Sequence, residues 1–163
     1  MMPNGNISWE SAMARNNMNK SALCDALDPE YEQIVFESFR RQKFINFIGA
    51  ELLRVLPGFC TLQLKYREKM THDPACFHPG VIGALADSAG EFAALSLLPP
   101  DSSLATTEYT LNLLAPAEGD ALVAHAKVVK SGKTMTVCTS EIYVRKDRAQ
   151  NLCAIALMTF IPG

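Results

Sequence analysis

The sequence predicts an α+β domain in which an antiparallel sheet wraps one long apolar helix. Residues 77–100 form the most apolar run of the chain, strand-like segments lie on both sides of it, and short turns join those segments. Strands joined by short turns favour antiparallel pairing. A helix that is apolar nearly all round has to be enclosed, and a curved sheet folded around it meets that requirement.

The first element is a helix that begins near residue 28. Asp28 is placed as its N-cap, Pro29 at its first helical position and Glu30 in its first turn, a combination typical of a helix start. The helix continues to about Gln42, and its one apolar face consists of Tyr31, Ile34, Val35 and Phe39.

A strand pair follows, over residues 43–58 and 59–70. The second segment alternates, with Leu62, Leu64 and Tyr66 on one side and polar residues between them. The sequence Leu-Pro-Gly at 56–58 supplies the turn between the two strands.

After the long helix, Pro99 and Pro100 end the element. Ser131-Gly132 is a hairpin signal between two of the strands that follow. Residues 1–27 are polar and rich in Asn and Met, so we expect a loosely ordered N-terminal extension before a single domain over residues 28–163. Four strand-like runs complete that domain, at residues 104–116, 120–130, 134–146 and 152–162.

Composition narrows the classes of partner and the compartment. The 15 Lys and Arg nearly balance the 17 Asp and Glu, which gives no electrostatic reason to expect nucleic acid or an anionic membrane as partner. The 5 cysteines are widely spaced without a C-x-x-C pair, as is typical of a reducing compartment. The start of the chain lacks the pattern of a signal peptide, so a cytoplasmic protein is expected.

The long helix carries two acids, Asp87 and Glu91, in an otherwise apolar run. A helix start presents unpaired N–H groups that suit an oxyanion, and a carboxylate can attack a carbonyl or activate water. Gly80 and Asp87 are seven residues apart, about 10 Å along a helix axis, so one carbonyl carbon cannot contact both in one chain. We therefore expect a symmetric dimer with two shared sites.

The run "FHPGVIGALADSAGEFAAL" resembles the signature of the phenylacetate-pathway (PaaI-like) acyl-CoA thioesterases of the hotdog fold. That signature has a His-Gly-Gly, a small or apolar run, and an Asp nine positions after the His; His78 and Asp87 keep this spacing. The segments "TTEYTLNLLAPAEGD" and "AKVVKSGKTMTVCTSEIY" are similar to the family's later strands. The likeness covers about residues 29–161.

The resemblance implies hydrolysis of acyl-CoA thioesters between two subunits, with coenzyme A as part of the substrate and no metal or other cofactor. An amide at the start of the central helix polarises the carbonyl, and the helix acid is the nucleophile or general base. The resemblance also allows two homodimers to associate as a dimer of dimers. The matching catalytic positions are Asp87, Gly80, His78 and Thr106. Candidate substrate-binding positions are Pro79, His72, Glu91 and two lysines placed to meet CoA phosphates, Lys130 and Lys133.

One departure from the family pattern keeps other functions open. Pro79 stands where the family has the Gly whose amide holds the carbonyl, and proline has no N–H, so Gly80 is expected to take over. The alternatives are a non-catalytic acyl-CoA-binding protein, a structural dimerisation domain, and a hydratase or dehydratase, which is disfavoured because no His follows Asp87 before His125. A zinc site is disfavoured because His72, Cys76 and His78 lack an evident fourth ligand.

Overall fold

The computed structural model describes residues 28–73 and 76–163, without the side chains of residues 72 and 73. The predicted extension over residues 1–27 lies outside the described residues. The helices are α1 (Tyr31–Arg41), α2 (Lys43–Ile48) and α3 (Pro79–Leu95), with a short 3-10 helix at Glu68–Met70. The strands are β1 (Ala50–Leu56), β2 (Phe59–Lys65), β3 (Thr71–Asp73), β4 (Cys76–Phe77), β5 (Leu104–Leu113), β6 (Ala121–Ser131), β7 (Thr136–Lys146) and β8 (Ala149–Pro162).

Six strands form one antiparallel sheet in the order β1-β2-β6-β7-β8-β5. Strands β3 and β4 form a separate two-stranded pair just before α3. All six strands of the large sheet contact α3, whose residues Leu85, Ala89 and Phe92 are fully buried. The predicted α+β class, with a curved sheet around a long central helix, is confirmed.

The predicted start of the first helix is wrong by about two residues. Helix α1 begins at Tyr31, and Glu30 holds the N-cap position without a side-chain cap. The Asp28 carboxylate instead accepts a hydrogen bond of 2.7 Å from the Glu30 N–H and closes the turn before the helix. Asp28 thus orders the approach to the helix, and the helical backbone begins after that turn.

Residues 43–48 form helix α2, although the sequence predicted a strand there. Ile45 and Ile48 are buried at a spacing of three, which is one face of a helix. Phe44 and Phe47 are exposed, so apolar residues lie on both sides of this short helix. They obscure the spacing of three to four residues by which a helix is recognised in a sequence. Gly49 ends the helix with φ of 79°, and the first strand is confined to β1.

The long helix and the other strands of the large sheet agree with the sequence apart from their ends, whereas the pair β3 and β4 and the short 3-10 helix were not predicted. Gly58 adopts φ of 72° in the turn between β1 and β2, and the Gly132 N–H donates to the Met135 carbonyl in the hairpin between β6 and β7. Strand β2 stops at Lys65 and a 3-10 helix follows it. None of the helices in the described part of the chain is long and apolar enough to cross a membrane.

Substitution of Gly49 tests the turn that separates α2 from β1. We expect Gly49→Ala to lower the free energy of unfolding by about 1–2 kcal/mol, because a β-carbon is disfavoured at positive φ. An added Cβ would also meet the Arg67 guanidinium. Gly49→Asn meets the same side chain but tolerates the left-handed backbone, so its loss in urea denaturation should be smaller. Equal losses for both variants would contradict the backbone argument.

Candidate active site

One stripe of α3 is left partly open by the sheet. Beyond the first two residues of the helix, every α3 residue is buried except Val81, Ala84, Asp87 and Glu91. Their spacings of three or four residues place them on one side of the helix. The two acids of this apolar helix therefore lie on the side that the sheet does not cover.

Asp87 is held by a hydroxyl from the edge of the sheet. The Thr106 hydroxyl, on β5, donates to both carboxylate oxygens of Asp87, at 3.0 Å to Oδ1 and 3.2 Å to Oδ2. Burial raises the pKa of the Asp87 carboxyl, and the hydrogen bond from Thr106 offsets part of this rise. A raised pKa makes the carboxylate a stronger base for work near neutral pH.

Glu91, one turn later, is held by a residue from outside the sheet. Gln42, between α1 and α2, donates its side-chain N–H to the Glu91 carboxylate at 2.8 Å. Burial is the main cause that raises the pKa of Glu91, the Gln42 amide lowers it, and the negative charge of Asp87 raises it again. Sequence reasoning missed Gln42, because no local pattern marks a contact between residues 49 positions apart.

The start of α3 is capped by His78. Its Nδ1 accepts a hydrogen bond of 2.9 Å from the Gly80 N–H. The His78 carbonyl accepts the N–H groups of Val81 and Ile82, and Pro79 occupies the first helical position without an N–H. Gly80 can therefore donate to a substrate oxygen only when the His78 ring turns away or shares this N–H.

Residues 76–150, which contain α3 and Thr106, match the family model described as the thioesterase superfamily. A protein from Saccharolobus solfataricus that is named a putative esterase is 30% identical to this chain over 127 residues. The match covers 78% of this chain and 82% of that protein. The chain belongs to the thioesterase superfamily.

Solved structures agree with this membership. A thioesterase family protein from Silicibacter pomeroyi has a TM-score of 0.79 and 34% identity, covering 81% of this chain and 97% of that one. The PaaI protein from the phenylacetic acid degradation operon of E. coli has a TM-score of 0.74 and 22% identity. The match covers 85% of this chain and 96% of that one. Membership of the thioesterase superfamily and the hotdog fold, both inferred from the sequence, are confirmed.

The predicted site residues of this thioesterase-superfamily chain lie in four places. Asp87, Thr106 and Glu91 meet on the open stripe, while His78 and Gly80 lie at the start of the same helix. Lys130 is exposed at the end of β6 and Lys133 is exposed in the following turn. His72 lies in β3, but its side chain is outside the described part of the structure. The roles of all these residues stay predictions.

Two open grooves on the surface of this chain lie away from Asp87. One, of about 750 Å³, runs between the start of α1 and strand β1. The other, of about 650 Å³, lies on the sheet across β6, β7 and β8. Neither is lined by a predicted site residue. The predicted site residues therefore lie outside both grooves.

Removing the Thr106 hydroxyl tests its effect on Asp87. Thr106→Val keeps the side-chain shape, and we expect the pKa of Asp87 to rise further, because a hydrogen bond that lowers it is lost. Thr107→Val is the matched control, since the Thr107 hydroxyl donates to the Thr159 carbonyl and not to Asp87. A carbon-13 NMR titration of the Asp87 carboxyl measures both variants, and equal shifts would contradict the assignment.

Proposed function

We propose that this chain is an acyl-CoA thioesterase, which hydrolyses an aryl- or medium-chain acyl-CoA to the free acid and coenzyme A. Membership of the thioesterase superfamily supports thioester hydrolysis. The observation that carries the proposal is Asp87, a half-buried acid with a raised pKa on the open stripe of α3. The substrate brings coenzyme A, and the reaction needs no resident metal or redox cofactor. The cytoplasmic location rests on the sequence alone.

In the proposed reaction, Asp87 acts on the thioester carbonyl as general base through water or as nucleophile. Negative charge then develops on the carbonyl oxygen, and a donor is needed beside it. The Gly80 N–H is the proposed donor. Because Gly80 and Asp87 lie seven residues apart on one helix, about 10 Å along its axis, the donor for one Asp87 comes from a second copy of the chain.

The exposed edge strand supports a homodimer. Strand β5 is exposed along most of its length, and among the described strands it pairs with β8 alone. Tyr109, Leu113 and Leu114 leave large apolar side chains exposed on and just beyond this strand. Exposed sheet edges invite pairing with another chain. A second copy placed against β5 would cover this surface and the neighbouring open stripe of α3.

Mixed dimers test whether each site takes residues from two chains. Asp87→Asn removes the acid from one chain, and Gly80→Pro removes the amide donor from the other. If a site joins Asp87 of one chain to the helix start of its partner, the mixed dimer contains one intact site and one doubly altered site. We expect each variant alone to be inactive and the purified mixed dimer to have about half of wild-type activity, because one of its two sites is intact. An inactive mixture, with mixed dimers verified by affinity tags, would contradict shared sites.

A non-catalytic acyl-CoA-binding protein is the second candidate function. It is favoured by the start of α3, where Pro79 has no N–H and the Gly80 N–H is already bound to His78. Loss of an oxyanion donor costs about 100- to 1000-fold in rate. A panel of acyl-CoAs with a thiol-reactive dye separates the two functions. Release of CoA supports the thioesterase, whereas saturable binding without release identifies the binding protein.

A further inference from the structure

Glu91 is the second acid of the open stripe, and the reaction proposed for Asp87 gives it no role. Glu91 lies four residues after Asp87, so the two carboxyls are neighbours on the same side of α3. Each accepts a hydrogen bond from one neutral donor, Thr106 for Asp87 and Gln42 for Glu91. No Lys or Arg in the described part of the chain forms an ion pair with either acid. Two like charges in this half-buried position are unfavourable, and the negative charge of Asp87 contributes to the raised pKa of Glu91.

The spacing of the two carboxyls suits a reaction that needs one base and one acid. Four residues of helix separate their Cα atoms by about 6 Å along the axis. Inverting glycoside hydrolases divide the same two tasks between a pair of carboxyls, held roughly 6.5–9.5 Å apart. The stripe therefore offers one carboxyl, Asp87, to an attacking water and a second carboxyl, Glu91, one helical turn away to a leaving atom.

We propose that Glu91 is a second catalytic carboxyl, which donates a proton to the departing sulfur of the thioester, and that Gln42 is the positioning residue that holds it. This inference rests on the proposed thioesterase function and extends it to the leaving group. An alkyl thiol such as that of cysteine has a pKa of about 8.5, so its thiolate takes a proton readily from a carboxylic acid.

The proposed step consumes one water molecule and involves no oxidation or reduction. Asp87 takes one proton from water, and the remaining hydroxide forms a C–O bond with the carbonyl carbon. The C–S bond then breaks, its electron pair stays on sulfur, and sulfur takes the proton of Glu91. The products are the carboxylic acid and the thiol. Asp87 is left protonated and Glu91 ionised, and transfer of one proton through solvent from Asp87 to Glu91 restores the starting state.

The surroundings of Glu91 favour its protonated form when Asp87 is ionised. Burial raises the pKa of Glu91, and so does the negative charge of Asp87 on the same helix. The element packed against Glu91, the junction of α1 and α2, offers the neutral amide of Gln42. Its flanking cations, Arg41 and Lys43, are exposed to solvent, which screens them.

The leaving group provides the decisive test. The substrates are an acyl-CoA and the same acyl group esterified to thionitrobenzoate, an aryl thiol whose thiolate leaves without protonation. We expect Glu91→Gln to lower kcat/KM for the acyl-CoA by about 100-fold or more and for the aryl thioester by less than about 3-fold. A structural role for Glu91 would lower both rates by the same factor, and an unused Glu91 would leave both unchanged. Either result overturns the inference.

The role of Gln42 is tested by the pH profile. A general acid must be protonated, so activity falls as pH rises through the pKa of Glu91. The Gln42 amide lowers that pKa, and Gln42→Met is therefore expected to move the alkaline limb of kcat/KM to higher pH. Gln33→Met is the matched control, because Gln33 donates to Glu37 on the surface of α1. An unmoved limb in Gln42→Met, or an equal shift in both variants, overturns the positioning role.

Failure of this inference is distinguishable from failure of the proposed function. Wild-type protein that releases no thiol from the acyl-CoA or from the aryl ester defeats the thioesterase proposal, and the inference falls with it. Wild-type protein that hydrolyses both esters, combined with equal losses in Glu91→Gln, defeats the inference alone. Circular dichroism and the melting temperature of each variant show that the compared proteins are folded.

Discussion

Asp87→Asn is expected to lower kcat/KM for acyl-CoA hydrolysis by at least about 100-fold, because it removes the group that activates water or attacks the carbonyl. The amide of Asn has nearly the same shape as the carboxyl, and its oxygen can still accept from the Thr106 hydroxyl. The change therefore removes the charge and basicity while leaving the packing in place. A dye assay for free thiol, over a range of substrate concentrations, measures the loss.

The same variant is expected to melt at a higher temperature than the wild type at pH 7. Burial raises the folded-state pKa of Asp87, so its ionisation opposes folding. For an acid with a raised pKa, stability is fully present below the unfolded pKa of about 3.9 and is lost as pH rises through the folded pKa. The stability difference between the variant and the wild type should then disappear below about pH 3.9. Lower activity with higher stability identifies a functional acid.

Asp101→Asn is the matched control for both measurements. Asp101 is exposed and has φ of 63°, a backbone conformation that Asn also adopts readily. We expect the hydrolysis rate and the melting temperature of Asp101→Asn to match those of the wild type. Unchanged hydrolysis in Asp87→Asn would remove Asp87 from the reaction, and a lower melting temperature would show that its carboxylate supports the fold.

The long elements were predictable because their patterns repeat several times. Helix α3 is largely apolar over 17 residues, and β7 alternates buried with less buried positions along most of its 11 residues. Helix α2 has 6 residues, fewer than two turns, and exposed Phe44 and Phe47 obscure its buried face. Short elements carry too few repeats for the period to outweigh such exceptions.

The candidate site was predictable where its residues share one helix or a family motif. The spacing of His78 and Asp87 is local, and the family resemblance predicts Thr106, whose hydroxyl contacts Asp87. The bond from Gln42 to Glu91 depends on how α1 and α2 pack against α3, and the cap of Gly80 by His78 depends on a side-chain rotamer. Neither of these contacts leaves a pattern in the sequence.

The core beneath the two acids gives the largest expected change in stability. Phe92 follows Glu91 on α3, is 0% exposed and packs edge-on against Phe39 with ring centroids 5.7 Å apart. We expect Phe92→Ala to lower the free energy of unfolding by about 3–5 kcal/mol, since the aromatic ring is lost and a cavity remains. Equilibrium denaturation in urea measures the change. Phe92→Leu fills part of that space and should lose less.

Phe47→Ala makes the same chemical change at a surface position. Phe47 lies on α2 and is 77% exposed, so its truncation removes little buried area, and we expect a change within about 0.5 kcal/mol. Both residues are phenylalanines of apolar helices, and the sequence pattern does not separate them. Their burial does, because the sheet encloses α3 while α2 lies outside it. A loss in Phe92→Ala no larger than that in Phe47→Ala would contradict the enclosed helix, and with it the placement of Asp87 and Glu91 on the one open stripe.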